Sequence, residues 1–250
     1  MTFVIATAGI DISVGAVVAI SGAVCCSLIG GRGDGVAEYP MIVAMIAAVA
    51  AGVICGMWNG FLVAKIKIQP MVVTLILMVA GRGIAQLLTE GQIITVYYAP
   101  FSYIGGNIPG NIIPSPIIIA ILMIALVVFI LKKTSLGLFI QSVGINPTAS
   151  RYAGINVALI IFLVYAFSGF CAGVSGLIES SLIRAADANN AGLNMEMDAI
   201  LAVALGGTLL SGGKFYIGGS IIGAITIQTL TTTMYAMGVA SDQLPVVKAI

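Results

Sequence analysis

Charged positions divide the chain into long apolar stretches. None occurs between Glu38 and Lys65, between Glu90 and Lys132, between Arg151 and Glu179, or between Lys214 and Asp242. Each stretch can hold a helix of about 20 residues, enough for a bilayer core of about 30 Å. The pattern predicts spans over 13–30, 41–64, 70–89, 114–131, 155–180 and 216–238. The segment 197–210 is shorter, with Glu196 and Asp198 at its start and Gly206, Gly207, Gly212 and Gly213 at its end. It reads as a thin span or a re-entrant half-helix. Residues 1–10 read as the end of another span. The expected fold is all-α, a polytopic transmembrane helical bundle with broken or re-entrant helices, in one domain over 1–250.

Composition supports that class. Hydrophobic residues make up 60% of the chain and charged residues 8%, against about 25% charged in soluble domains. Neither a soluble surface nor a disordered chain fits. The alternation of a membrane barrel is absent as well. There is no histidine, so Ser-His-Asp, Cys-His and zincin chemistry are excluded. Ser175, within Gly173-Val174-Ser175-Gly176, therefore has no histidine to activate it. Cys25, Cys26, Cys55 and Cys171 lie in apolar stretches without metal-ligand spacing and read as buried structural thiols. No metal site and no cofactor is expected. A net charge of +1 gives no nucleic-acid footprint. Lys214 follows Gly213, but Thr208 holds the first glycine position of a phosphate loop and Phe215 replaces its Ser/Thr. ATP binding by this chain is not expected.

The basic residues set an orientation. Lys65, Lys67, Lys132, Lys133, Arg151 and Lys214 fall on one side if every span crosses once. Arg32 and Arg184 fall on the other, with Arg82 near it. The first side is therefore predicted to be cytoplasmic. Loop 132–154 would lie inside and loop 181–196 in the periplasm. Met1 begins inside an apolar run and the chain stops at Val-Val-Lys-Ala-Ile, so further helices are expected beyond both ends. Gly52, Gly56 and Gly60, then Gly169 and Gly173, then Gly219 and Gly223, have the spacing that lets helices approach closely in lipid.

Three motifs carry polar chemistry. The first is Gly9-Ile10-Asp11-Ile12-Ser13-Val14-Gly15. A carboxylate inside a bilayer costs roughly 2.5–3.5 kcal/mol on insertion scales, so it needs an interior partner. The glycines and Ser13 predict a helix break, with Asp11 capping the helix that follows. Such a break serves as a structural cap, as part of a substrate path, or as both. The second motif is Asp198 with its glycine-rich sequel, faintly similar to residues 9–22, as in an inverted repeat. The third lies in loop 132–154. Asn146 is a candidate N-cap, Pro147 sits at the first helical position, and Gly154 is a candidate residue just past the C-cap. A short capped helix outside the bilayer is a docking element or an inert connector.

Together these strings resemble the permease subunits of bacterial ABC importers for carbohydrates, of the ribose/galactose/arabinose type. The matching pieces are Gly-Ile-Asp-Ile-Ser-Val-Gly, then Gly144, Asn146 and Pro147 running to Arg151 and Gly154-Ile155, then Asp198-Ala199-Ile200 and Gly206-Gly207-Thr208. Ile68-Gln69-Pro70, Met78-Val79-Ala80-Gly81-Arg82-Gly83 and Ala186-Asp187-Ala188-Asn189-Asn190-Ala191-Gly192 are similar to the galactofuranose-importer branch. Gln141 and Thr232-Thr233 depart from the usual family pattern, which has Arg and Asn-Gly at those places.

The resemblance implies a non-catalytic pore subunit in the bacterial inner membrane. Its implied partners are cytoplasmic ABC ATPase subunits, a periplasmic sugar-binding protein, a second permease chain (like or unlike) and membrane lipid. Gly144, Asn146, Pro147, Ala149, Arg151 and Gly154 would couple to the ATPase. Polar residues in or beside apolar spans are candidates for the sugar pathway: Asp11, Ser13, Asn59, Gln69, Gln86 and Gln228. Each could instead make an interhelical hydrogen bond. Arg184, Asp187, Asn189 and Asn190 would meet the binding protein or form an outer gate. Gly9, Gly15, Asp198, Gly206, Gly207, Gly212 and Gly213 would form helix breaks or turns. The competing reading is an ion-coupled secondary transporter, with Asp11 as its titrating acid.

Overall fold

A computed structural model describes residues 1–30, 39–107, 110, 113–238 and 248. Arg32, Glu38 and Asp242, used above to bound spans or set orientation, lie outside the described residues.

Each predicted span is a helix. The chain opens with α1 (Thr2–Ala6), breaks, and resumes as α2 (Val14–Ile29). Next comes α3 (Met41–Phe61), continued by a π-helical turn over Leu62–Ile66 and stopped by Lys67 in the left-handed region. Then follow α4 (Pro70–Leu88), the short α5 (Ser102–Gly105) and α6 (Ser115–Lys133). Outside the spans lie α7 (Leu136–Ile145) and α8 (Pro147–Tyr152). The longest helix is α9 (Val157–Ile183), followed by α10 (Met195–Leu205) and α11 (Ile217–Ala236). Proline occupies the first turn of α4, α6 and α8, where its missing N–H has no intrahelical role. Four helical segments among the described residues are long and apolar enough to cross a membrane: Met41–Ile66, Pro70–Leu88, Ser115–Lys133 and Val157–Ile183.

The centre of the bundle is the crossing of α3 and α9. A Cβ at Gly169 would stand 2.8 Å from the Cα of Gly56, and one at Gly52 would stand 2.9 Å from the Cα of Gly173. Gly60 meets Phe162 and Tyr165 in the same way, so the two helices run antiparallel. Close approach therefore follows from the glycine spacing read in the sequence. Alongside, α2 packs on α9, where Ser21 Oγ donates to the Gly173 carbonyl at 2.8 Å.

Two features differ from the pattern-based reading, and a third selects between its alternatives. Loop 132–154 holds two helices, because α6 runs through Lys133 and the amphipathic stretch of α7 buries Gly137, Ile140 and Val143. The segment after Glu90 is ordered by a small antiparallel pairing: Ile94–Thr95 (β1) joins Ala185–Ala186 (β2). A 3-10 turn over Ala99–Phe101 then drives the ring of Phe101 into the core. Finally, α10 is a half-helix rather than a thin span. The chain leaves α9 at Ile183 and folds back, so that Met195 Sδ lies 3.6 Å from Ser175 Oγ. Ser175 is about 12 Å below the end of α9, at about 1.5 Å per residue.

Candidate functional site

Two helix breaks organise the polar interior. The first separates α1 from α2. Ser13 is the N-cap residue of α2 and makes no side-chain cap. Asp11 instead accepts from Ser13 N at 3.1 Å and from Ser13 Oγ at 2.6 Å. This corrects the expected direct cap: the carboxylate braces the turn before the helix. Its second oxygen accepts from Ser168 Oγ on α9 at 2.8 Å. Asn59 Nδ2 on α3 donates to Ser13 Oγ at 2.9 Å. The carboxylate is thus held by three donors, which offsets its removal from water. Tyr165 on α9 sits beside this network, its hydroxyl 2.6 Å from where a Cβ on Gly9 would stand. A side chain at Gly9 would require the Tyr165 hydroxyl to shift. Tyr165 Oη and Asn59 Oδ1 are buried without a partner among the described residues.

The second break precedes α10. Gly192 and Asn194 both take positive φ, at 65° and 62°. This moves the break upstream of Asp198. That residue lies inside the first turn of α10, where both carboxylate oxygens accept from Lys248 Nζ at 2.7 Å. A negative group in a first turn also suits the helix dipole.

The breaks touch each other. A Cβ on Gly15 would collide with the Gly192 carbonyl and with the carboxylate of Glu196. Glu196, in the first turn of α10, is therefore seated at the N-terminal end of α2, where backbone N–H groups lack intrahelical partners. The returning segment is pinned by three side chains, two on α4 and one on α9. Arg82 on α4 donates to the carbonyls of Ala188 at 3.1 Å and Ala191 at 2.6 Å. Gln86 Nε2 donates to Asn189 Oδ1 at 2.7 Å. Gly192 N donates to Glu179 Oε1 on α9 at 3.0 Å. Asp187 closes a turn by accepting from Asn189 N at 3.0 Å, Asn190 N at 3.2 Å and Asn190 Nδ2 at 2.7 Å. These donors hold its carboxyl below the usual aspartate range, the side chain of Asn190 contributing most, against the opposing effect of partial burial. Arg184, the left-handed C-cap of α9, accepts on its carbonyl from Val96 N at 2.8 Å.

At the other end of α9, Asn146 caps α8 through Oδ1, which accepts from Thr148 N and Ala149 N at 3.0 Å each. Gly154 ends the turn at φ 83°. Ala149, Arg151 and Tyr152 are exposed on this helix. Gly144, just before the cap, packs on Ala6 and Gly213. Gly206 ends α10 and packs on Gly219, while Gly207, Gly212 and Gly213 take φ values of 80°, 88° and 98°.

Of the six pathway candidates, the structure gathers Asp11, Ser13 and Asn59 into one closed cluster. It disperses the rest. Gln69 is the exposed residue before α4, Gln86 is exposed on α4 and spent on Asn189, and Gln228 is exposed on α11. Sequence reasoning missed Ser168, Tyr165, Glu179 and the role of Arg82. The first two were hidden because isolated hydroxyls in apolar runs are common. Arg82 was legible as a cation within an apolar stretch, which demands partners.

The model of the family described as branched-chain amino acid transport system / permease component matches residues 1–249. The chain belongs to this permease family. The permease is 47% identical over 252 residues to the galactofuranose transporter permease protein of Escherichia coli, covering 100% of this chain and 71% of that one. It is 40% identical to the fructose import permease protein of Bifidobacterium longum, covering 98% of this chain and 68% of the relative. It is 37% identical to the ribose import permease protein of Escherichia coli, covering 100% of this chain and 77% of the relative. No solved structure matches. Membership of this family disfavours the ion-coupled alternative.

Proposed function

We propose that this permease forms the membrane pathway of an ATP-driven monosaccharide importer in the bacterial inner membrane, with galactofuranose as its sugar. Similarity to sugar permeases over nearly the whole of this chain carries this reading, and the galactofuranose relative is the most similar of the three described above. The permease itself performs no catalysis, and a separate cytoplasmic ATPase supplies the energy. That subunit docks on α8, through Asn146, Pro147, Ala149, Arg151 and Gly154. The exposure of α8 and its internal cap support this role, because a self-capped helix keeps its shape without the bilayer. A periplasmic sugar-binding protein delivers the sugar near Arg184, Asp187, Asn189 and Asn190. A second permease chain completes the conduit. The exposed polar groups of Gln69 and Gln228 meet sugar hydroxyls at its wall, joined by Gln86 when it leaves Asn189, whereas Asp11, Ser13 and Asn59 hold the breaks in register.

The test is reconstitution of the permease in proteoliposomes with its ATPase subunits and binding protein. Uptake of labelled galactofuranose should require ATP and exceed uptake of ribose and fructose. Replacing 146–154 by a Gly/Ser linker should abolish it. Uptake driven by a proton or sodium gradient without ATP would overturn the reading.

A further inference from the structure

Gly144 lies where three separate parts of the chain meet. It belongs to the last turn of α7 and directly precedes the residues that start α8. A Cβ there would overlap the carbonyl oxygen of Ala6 and stand 2.6 Å from the amide nitrogen of Gly213. Those two groups are bonded to each other: Gly213 N donates to Ala6 O at 2.8 Å. Nearby, a Cβ on Gly212 would stand 2.8 Å from Ala8 Cβ, and one on Gly213 would stand 3.1 Å from Ile145 Cγ1. The positive φ at Gly212 and Gly213 allows the turn to enter this space. Aromatic packing braces the junction from within, with the ring of Phe3 5.7 Å from Phe215 and 5.5 Å from Phe167.

Each strand of this junction leads to a helix break. Ala6 and Ala8 lead to Asp11 and the start of α2. The turn at 212–213 follows α10, whose first turn carries Glu196 against Gly15. We propose that Gly144 is a positioning residue through which displacement of α8 reaches both helix breaks at once. This role rests on the reading of α8 as the element that docks the ATPase. Backbone touches backbone at Gly144, so α7 cannot tilt without carrying Ala6 and Gly213 along. A side chain there would replace this close seat by a looser one. The breaks would then follow α8 less faithfully, although α8 itself would be unaltered.

The experiment uses the whole importer in proteoliposomes and compares wild type with G144A. ATP hydrolysis and sugar uptake are measured together. The variant complex should assemble and hydrolyse ATP, while sugar moved per ATP falls roughly 2- to 30-fold, the range of energetic coupling changes caused by residues remote from both sites. An unchanged ratio would overturn the proposal, as would loss of assembly, which would make Gly144 a docking residue instead. A second variant avoids any packing defect at Gly144. Ile145→Cys and Lys214→Cys are joined by a short thiol cross-linker, with the link verified by mass spectrometry. The junction moves as a unit, so linked complexes should retain transport. Failure to cross-link, or loss of transport on linking, would overturn it. Absence of ATP-driven uptake by the wild type would instead sink the importer reading.

Discussion

Ser168 on α9 donates its hydroxyl to Oδ2 of Asp11 at 2.8 Å, tying the break before α2 to the longest helix of the bundle. Ser168→Ala strips one donor from a buried carboxylate. The expected cost is about 1–3 kcal/mol, the penalty for leaving a buried polar group unpaired. Thermal unfolding in detergent checks this. Asp11→Ala should cost more than Ser168→Ala, because it strands the hydroxyls of Ser13 and Ser168 together.

Arg82 secures the returning segment through two carbonyls. Arg82→Ala should release residues 187–192 while leaving the α3–α9 crossing intact. Hydrogen exchange should rise at Ala191 and Gly192 and stay constant at Gly52 and Gly169. Hydrogen bonds from charged donors are worth about 1.5–3 kcal/mol each, so exchange through local opening should accelerate by at least roughly 10-fold. Uniform acceleration across the bundle would contradict this assignment.

The glycine crossing leaves no room for a side chain. Gly169→Ala places a methyl group 2.8 Å from the Cα of Gly56. Overpacking of this kind costs about 1–3 kcal/mol. A Cβ added to Gly83 would meet nothing within 4 Å, so Gly83→Ala serves as the control and should be neutral or mildly stabilising. Melting temperatures of the two variants decide the matter.

Asp187 makes its turn sensitive to acid. Its carboxyl is held below the ordinary aspartate value of about 3.9, chiefly by the Asn190 side chain. A lowered folded value means that the stabilisation is complete above the unfolded value and is lost as pH falls through the folded one. Protection of the Asn189 and Asn190 amides should therefore drop only below about pH 4. Asp187→Asn should be less protected at neutral pH and should lose that acid-dependent step.

Much of the fold was legible because burial in lipid writes itself as charge-free stretches. Pro70 and Pro147 marked helix starts, and Asn146 marked the cap of α8. The half-helix α10 was legible from its short apolar run between acids and glycines. The position of its break was not. Asp198 was expected at the break itself, but the left-handed conformations of Gly192 and Asn194 fix the turn upstream. Nor could spacing reveal that Glu196 abuts Gly15, because the two breaks meet only through tertiary packing. The candidate site shows the same division. Asp11 announced itself as a carboxylate in an apolar run. Its partner Ser168 did not, since one hydroxyl among many carries no signal until the helices are docked.

The separation between Asp11 and Ser168 bears on how the chain is made. They lie 157 positions apart. A ribosome adding about 5–20 residues per second needs roughly 8–30 s to cover that distance. Throughout this interval the newborn carboxylate lacks its main interhelical donor. The break before α2 can therefore reach its final hydrogen-bonded seat only after α9 has been synthesised. Completion of the first break thus awaits the helix that carries Ser168.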